Sequence, residues 1–167
     1  MTTIRQASLA EDIHRARALF VEYAAWLAVD LCFQGFNEEL AALPGAYAPP
    51  QGRLLLAGGP DTTIGCIALR PLDASAGHGG DSEGTLHLVG EVKRLYVRPE
   101  FRNGGWGRKL TEALIEEARM IGYRQLKLDT LDWMTAARQL YSCHGFVECA
   151  PYYRNPLPGV VYMARTL

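Results

Sequence analysis

The residues best suited to chemistry lie in one short run, R-N-G-G-W-G-R-K, between Arg102 and Lys109. A strand-like segment precedes the run and a helical stripe of apolar residues follows it, so the glycines fall at the start of a helix. A helix start offers unpaired backbone N–H groups and a partial positive charge, and glycine lets an anion approach them without meeting a Cβ atom. This pattern predicts a binding site for phosphate groups.

The distribution of charge supports an anionic ligand at this run. Between Lys93 and Lys109, six basic residues stand against the single acid Glu100, which gives a local charge of +5. The whole chain has 17 Lys and Arg and 18 Asp and Glu, for a formal charge of −1, so the remaining residues together carry −6. The six basic residues are Lys93, Arg94, Arg98, Arg102, Arg108 and Lys109. This balance argues against a generally basic nucleic-acid-binding surface and favours a small polyanion held at one place.

Three phosphate-binding patterns can be compared with the run. A Walker A loop requires Ser or Thr after G-K, but Gly107 is followed by R-K-L. A dinucleotide fingerprint, G-x-G-x-x-G, lacks its third glycine because Leu110 occupies that position. The pattern R-x-x-G-x-G, from Arg102 through Gly105 to Gly107, fits throughout. The coincidence of glycines, positive charge and helix start disfavours the remaining alternative, a glycine-rich turn without a ligand.

With this loop, and with the run A-A-R-Q-L-Y-S-C-H-G-F from Ala136 to Phe146, the chain resembles the GCN5-related N-acetyltransferase (GNAT) superfamily. In that family the second run is a helix that carries a Tyr and is followed by G-F at the next strand. The resemblance extends from Ile4 to Arg165, with its specific motifs between Glu91 and Phe146. It implies an α/β fold with a central mixed, mostly antiparallel sheet flanked by helices on both faces. It also implies an acyltransferase that moves an acetyl group from acetyl-CoA directly to a primary amine of an acceptor that the sequence does not identify.

The family binds acetyl-CoA with its pyrophosphate on the glycine loop and its pantetheine arm beside the preceding strand. The resemblance therefore implies backbone contacts from Leu95, Tyr96 and Val97. The implied pyrophosphate contacts are Arg102, Asn103, Gly104, Gly105, Gly107 and Arg108. Many members have an Asn seven residues before the tyrosine, where this chain has Met134. We therefore expect no side-chain hydrogen bond from this position to pantetheine.

Two residues are predicted to transfer protons. Glu91, four residues before Leu95, is the candidate general base, acting directly or through water. The alternative is a solvated strand carboxylate, because a carboxylate needs a tuned environment to act as a base near neutral pH. Tyr141 is the candidate general acid for the departing CoA sulfur, because a phenol is protonated at neutral pH. Its alternative is a core aromatic residue on a helix.

Other reactive residues are expected to be structural. Ser142, Cys143 and His144 are sequence neighbours, and the partners of a nucleophilic site usually converge from separate segments. Cys143, His144 and Cys149 lack the paired spacing of structural zinc ligands. We expect no metal, reduced cysteines, and surface positions for His78 and His87.

The acceptor pocket has weaker signals in the sequence. In relatives it is walled by the first two helices, their connection and the late strands, which points to aromatic residues that are otherwise ordinary core or rim side chains. They are Trp26, Phe33, Phe36, Tyr152 and Tyr153. Asp30, Glu38 and Glu39 are compatible with attraction of a cationic amine and equally with solvated helix charges. The acceptor is thus expected to be an amine of a small molecule or peptide.

The elements that position these residues follow from the periodicity of apolar side chains. Helices are predicted over residues 13–27, 37–43, 106–121 and 134–144. Strands are predicted over 4–6, 53–57, 62–70, 86–97, 126–131, 146–148 and 159–165, with a hairpin at 53–70 and a loop at 71–84. The strand–helix alternation in the C-terminal half predicts an α/β layer, and the hairpin before it makes the sheet mixed.

Length and composition favour one domain. At 167 residues and 49% apolar content, residues 1–167 suit a single N-acetyltransferase domain. The N-terminal segment lacks signal- and transit-peptide features, and the longest apolar stretch, 18–33, is too short and too charged to span a bilayer. A cytoplasmic enzyme without nucleic-acid or membrane partners is therefore predicted. Relatives are often dimers, so a homodimer is compatible with the sequence.

Two other function classes remain at this stage. The first is a CoA-binding or sensing module on the same fold without catalysis, which the presence of both Glu91 and Tyr141 disfavours. The second is a nucleotide-dependent oxidoreductase, which the missing third glycine disfavours.

Overall fold

The computed structural model describes residues 2–59, 61–72 and 89–167. The strands are β1 (Thr3–Gln6), β2 (Arg53–Gly58), β3 (Thr63–Pro71), β4 (Val89–Val97), β5 (Gln125–Leu131), β6 (Val147–Glu148) and β7 (Val160–Thr166). The α-helices are α1 (Ala10–Leu27), α2 (Phe36–Ala42), α3 (Trp106–Ile121) and α4 (Thr135–Cys143). The predicted hairpin is confirmed as β2 and β3. Residues 86–88, most of the predicted loop 71–84, His78 and His87 lie outside the described residues.

The seven strands form one mixed sheet in the order β1-β2-β3-β4-β5-β7-β6. All described pairs are antiparallel except β4 with β5, which run parallel. This parallel pairing covers only three residues of each strand, up to Glu91 opposite Lys127. Both strands continue beyond that point, so they diverge and leave an opening inside the sheet.

A β-bulge in β4 lies at the start of this opening. Cys66 pairs with Tyr96 but Ala68 pairs with Lys93, so β4 carries an extra residue against β3. Arg94, within the bulge, adopts a left-handed backbone with φ of +59°. Such a conformation costs a non-glycine residue about 1–3 kcal/mol, so the surrounding structure must hold it. The Arg94 guanidinium is buried and bound to Glu39 at 2.6 Å, which anchors the bulge to α2.

Helices cover both faces of the sheet, as the sequence predicted. On β2, Leu55 and Ala57 belong to one apolar core and Leu54 and Leu56 to another. The first core contains the buried face of α3, including Leu110, Leu114, Ile115 and Ala118. The second contains residues of α1 and α2, including Leu19, Phe20 and Phe36. The central strands are buried on both faces, which explains their continuous apolar runs.

Candidate active site

The glycine loop presents an open helix N-terminus. Gly105 precedes α3 with φ of +74°, and a Cβ atom placed there would meet no atom within 4 Å. The Lys109 N–H donates to the Gly105 carbonyl at 3.1 Å, so the N–H groups of Trp106, Gly107 and Arg108 precede the first intrahelical bond. The first turn of α3 contains no acidic residue and no side-chain cap. These features suit the binding of an anion.

Of the six basic residues between Lys93 and Lys109, three form ion pairs with carboxylates. The ion pairs are Lys93 with Glu91 and Asp129, Arg94 with Glu39, and Arg98 with Glu22. Within the described ranges, Arg102, Arg108 and Lys109 form no ion pair. The local charge of +5 counted along the sequence therefore overstates what a ligand at the loop would meet, because three of the six cations are neutralised inside the fold.

Arg102 connects the loop to the end of β4. Its Nε donates to the Val97 carbonyl at 3.0 Å, and its guanidinium lies over the rings of Trp26 and Tyr96, with distances of 4.7 and 5.9 Å to the ring centroids. Cation–π contacts at exposed positions contribute about 0.5–1 kcal/mol each. These contacts hold the guanidinium beside the strand that leads into the opening.

A cavity of about 60 Å³ lies where β4 and β5 diverge. Its walls include Val92, Lys93, Arg94 and Leu95 of β4, Asp129, Thr130 and Leu131 of β5, and Met134, Ala137 and Tyr141 around α4. Tyr23 and Leu27 of α1 and Gln34 of the following turn complete one side, with Asn155 nearby. One water requires about 10–15 Å³ of such space, so the cavity accepts only a few non-hydrogen atoms. It suits the reacting ends of two substrates rather than a whole ligand.

Tyr141 reaches this cavity from α4. The residue is only 7% exposed, and its ring packs edge to face on Phe146 with centroids 5.6 Å apart. Its hydroxyl has no hydrogen-bond partner among the described residues. Burial, reinforced by Tyr23 and Asp129, raises the pKa of Tyr141, so the phenol stays protonated at neutral pH. The arrangement fits a proton donor and at the same time makes the ring part of the core.

A second polar group at the cavity centres on Asp129. The Tyr153 hydroxyl donates to Asp129 Oδ2 at 2.8 Å, and Asn155 Nδ2 donates to the same oxygen at 3.0 Å. Lys93 Nζ lies 3.4 Å from Asp129 Oδ1. The cavity wall thus includes both the Asp129–Lys93 pair and the Tyr141 phenol.

Comparisons with known proteins agree with this arrangement. Residues 50–148 match the family model described as "Acetyltransferase (GNAT) domain". An uncharacterized N-acetyltransferase of Schizosaccharomyces pombe is 38% identical over 162 residues, which cover 96% of this chain and 92% of the relative. The chain belongs to the GNAT family of acetyltransferases.

Solved structures show the same fold. The structure described as a putative acyl-CoA N-acyltransferase from Klebsiella pneumoniae superposes with a TM-score of 0.66 at 28% identity, covering 100% of this chain and 97% of the other. A putative acetyltransferase from Salmonella typhimurium, solved with its cofactor acetyl-CoA, has a TM-score of 0.69 at 19% identity and covers 99% of this chain and 93% of its own. The GNAT fold predicted for this acetyltransferase is confirmed.

Glu91 lies beside the acetyltransferase cavity but does not line it. Its carboxylate accepts hydrogen bonds from Arg70 at 2.8 Å and from the Tyr152 hydroxyl at 3.0 Å, and Lys93 Nζ lies 3.6 Å away. The side chain is almost completely buried, so it is not the solvated carboxylate considered as the alternative. Its role as general base stays a prediction, and this position is compatible with action through water rather than by direct contact with an amine.

The aromatic and acidic residues predicted for the acceptor pocket separate into three groups. Tyr152 and Tyr153 reach the polar network through Glu91 and Asp129. Trp26 and Phe33 do not line the cavity and are 38% and 37% exposed. The other residues serve the fold: Phe36 is buried under Arg94, Glu39 is bound to Arg94, and Asp30 accepts from the Cys32 N–H.

The remaining reactive residues do not form a nucleophilic site. The His144 ring contacts the Leu140 carbonyl at 2.8 Å and Glu112 at 3.4 Å, and neither Ser142 nor Cys143 is among its hydrogen-bond partners in the described residues. No group of three or more His, Cys, Asp or Glu side chains in the described ranges could hold a metal ion. Across residues 2–59, 61–72 and 89–167, no helix is long and apolar enough to cross a membrane.

The cavity residues that sequence reasoning missed include the polar residues Gln34, Asp129 and Asn155. The signal that could have identified Asp129 is its place near the carboxyl end of β5, the strand parallel to β4. Gln34 and Asn155 belong to irregular segments, and only tertiary folding brings them to the site.

Proposed function

We propose that this acetyltransferase uses acetyl-CoA to acetylate a primary amine by direct transfer in a ternary complex. The observation that carries the proposal is the continuity of the β4 segment Leu95–Val97. Leu95 and Tyr141 both line the cavity, and the Val97 carbonyl accepts a hydrogen bond from Arg102 of the glycine loop. A ligand with phosphates at the loop and a reactive group in the cavity fits this path.

The residues of the loop fit the phosphates of acetyl-CoA. Arg102, Asn103, Gly104, Gly105, Gly107 and Arg108 would hold the pyrophosphate. The space beside Gly105, which a Cβ atom would enter without a clash, supports this placement. Tyr96 and its neighbours on β4 would bind the pantetheine arm through their backbone. Met134 supplies no amide for this purpose, and its sulfur instead accepts from the Thr130 hydroxyl at 3.6 Å.

The proposed chemistry needs one proton acceptor and one proton donor. Acetyl-CoA supplies the thioester, and the amine nitrogen forms a bond to its carbonyl carbon as the carbon–sulfur bond breaks. Glu91 takes the proton lost by the amine through a water molecule, because its carboxylate is held beside the cavity. Tyr141 gives its proton to the departing sulfur. Positioned proton transfer of this kind typically contributes about 10²–10⁴-fold to rate.

A thiol-release assay tests the proposal. The purified protein is mixed with acetyl-CoA and a panel containing n-butylamine, benzylamine, lysine, spermidine and an N-terminal peptide, and free CoA is measured with and without each amine. We expect amine-dependent release of CoA and an equal amount of N-acetylated product. Binding of CoA without release from any acceptor would favour the non-catalytic module, and stabilisation by NAD(P) rather than CoA would favour the oxidoreductase.

The domain extent, cellular location and partners are proposed together with this function. We propose one N-acetyltransferase domain over residues 1–167, supported by a single sheet that contains both the N-terminal β1 and the C-terminal β7. The four cysteines are free thiols, which is compatible with the predicted cytoplasmic location. A homodimer, and the absence of nucleic-acid and membrane partners, stay predictions.

A further inference from the structure

The Arg102 side chain is fixed at one nitrogen and open at the other two. Its Nε donates to the Val97 carbonyl at 3.0 Å, whereas its four Nη N–H groups have no hydrogen-bond partner in the described part of the chain. Arg98, four residues earlier, uses its Nη groups to bind the Glu22 carboxylate at 2.7 Å and the Thr63 carbonyl at 2.8 Å. Of these two arginines, only Arg102 keeps its terminal N–H groups available to a ligand.

An aromatic ring of α1, Trp26, lies against this guanidinium. The guanidinium carbon of Arg102 is 4.7 Å from the centroid of the Trp26 ring and 5.9 Å from that of Tyr96. This attraction joins the positive charge to the electrons of the ring face, so it does not occupy the Nη N–H groups as a carboxylate would. Trp26 thus restrains Arg102 without neutralising its charge.

The Trp26 ring is itself held by three elements. Its centroid lies 6.4 Å from that of Tyr23 on α1, 6.3 Å from that of Tyr96 on β4 and 5.9 Å from that of Trp133, in the turn after β5. Aromatic pairs at such separations attract each other. Trp26 remains 38% exposed and does not line the cavity, so this packing fixes the ring where Arg102 of the glycine loop rests on it.

We infer that Trp26 is a positioning residue for acetyl-CoA, because it holds the Arg102 guanidinium ready for the pyrophosphate with its Nη N–H groups open. This inference rests on the proposed function, in which Arg102 contacts the pyrophosphate. A flexible arginine side chain loses rotational freedom when it binds a phosphate, and this loss opposes binding. Contact with Trp26 orders the side chain before acetyl-CoA arrives, so acetyl-CoA binds more tightly.

A double-mutant cycle tests the inference. The Kd of acetyl-CoA is measured by isothermal titration for the wild type, Trp26→Leu, Arg102→Met and the double variant. Leucine keeps an apolar side chain but removes the ring, and methionine keeps an apolar stem but removes the guanidinium. We expect Trp26→Leu to raise the Kd about two- to tenfold, the cost of ordering one flexible side chain, and to have no effect in the Arg102→Met protein.

Two further variants separate positioning from stability, with thermal melts to show that each protein is folded. Trp26→Phe keeps a ring and should retain most of the affinity for acetyl-CoA. Val21→Ala trims an exposed side chain of the same helix and should leave the Kd unchanged.

An equal rise of the Kd on Trp26→Leu in both Arg102 backgrounds would overturn the inference, and so would a wild-type Kd in a folded Trp26→Leu. A wild-type Kd in Arg102→Met would overturn it as well, because Arg102 would then make no contact with the pyrophosphate. Failure of the proposed function is distinguishable, because the wild type itself would then not bind acetyl-CoA or would release no CoA with any amine.

Discussion

Replacement of Gly105 by Ala separates the role of the glycine loop in ligand binding from its role in folding. Gly105 has φ of +74° at the start of α3, in the left-handed region that disfavours residues with a Cβ atom. Gly122, at the other end of the same helix, has φ of +105°, and a Cβ atom at either position would meet nothing within 4 Å. Gly122→Ala is therefore a control that also places a Cβ atom on a positive-φ backbone, but at the other end of the helix and away from the loop.

Both variants should lose stability, but only Gly105→Ala should lose affinity for acetyl-CoA. The left-handed backbone costs an alanine about 1–2 kcal/mol, which lowers the melting temperature of a chain of this size by about 2–8 °C. Only the methyl group at position 105 enters the space where we place the pyrophosphate. Loss of one charge-assisted hydrogen bond there is worth about 1.5–3 kcal/mol, so acetyl-CoA should bind about 10- to 150-fold more weakly.

Isothermal titration with acetyl-CoA, beside thermal melts, measures both effects. We expect Gly105→Ala to lose stability and affinity and Gly122→Ala to lose stability alone. Equal affinities of the two variants for acetyl-CoA would refute the placement of the pyrophosphate at the N-terminus of α3, beside Gly105. A loss of affinity in both variants would show that binding follows general stability rather than contact with the loop.

Three further predictions concern side chains. Tyr141→Phe should lower kcat about 10²–10⁴-fold with little change in the Kd of acetyl-CoA, and an unchanged kcat would exclude Tyr141 as the acid. Because burial raises the pKa of Tyr141, deprotonation of its phenol should cause no loss of kcat up to about pH 10. Glu91→Gln should lower kcat over a similar range while leaving the acceptor KM unchanged, whereas a change confined to KM would exclude Glu91 as the base. Glu39→Gln should destabilise the fold by about 3 kcal/mol in urea titrations, because it leaves the buried Arg94 without its charge partner. Burial opposes ionisation of Glu39, but hydrogen bonding to Arg94 outweighs it and lowers the pKa of Glu39 in the folded state. The stabilisation by the Glu39–Arg94 pair is therefore complete above the ordinary glutamate pKa and is lost as pH falls through the lower, folded value. Equal urea midpoints for wild type and Glu39→Gln at neutral pH would contradict this prediction.

Local features of the site could be predicted from the sequence. The glycine loop and the start of α3 depend on neighbouring residues, because helix onset and left-handed turns follow from short-range sterics and hydrogen bonding. Tyr141 could likewise be placed on a helix from its spacing to Met134 and Ala137. These predictions needed only the chain within a few turns of each residue.

The acceptor side depends on contacts between distant segments. Gln34 and Tyr153 are 119 residues apart in the chain, and Arg94 is 55 residues from Glu39. The cavity forms because the parallel pairing of β4 with β5 ends at Glu91. No local sequence pattern indicates where the pairing of two strands ends. The same long-range pairing neutralises Lys93, Arg94 and Arg98, which explains why charge counted along the sequence overstated the positive surface at the loop.

The most direct test of the central claim is a single-turnover reaction followed by mass spectrometry. Protein in excess over acetyl-CoA is mixed with the amine that reacts fastest, and free CoA, N-acetylated amine and the mass of the protein are measured over time. Direct transfer predicts equal amounts of CoA and N-acetylated amine, dependence of both on the amine, and no acetylated protein at any time. Release of CoA without the amine together with an acetylated protein, or tight binding of acetyl-CoA with no product, would contradict the proposed function.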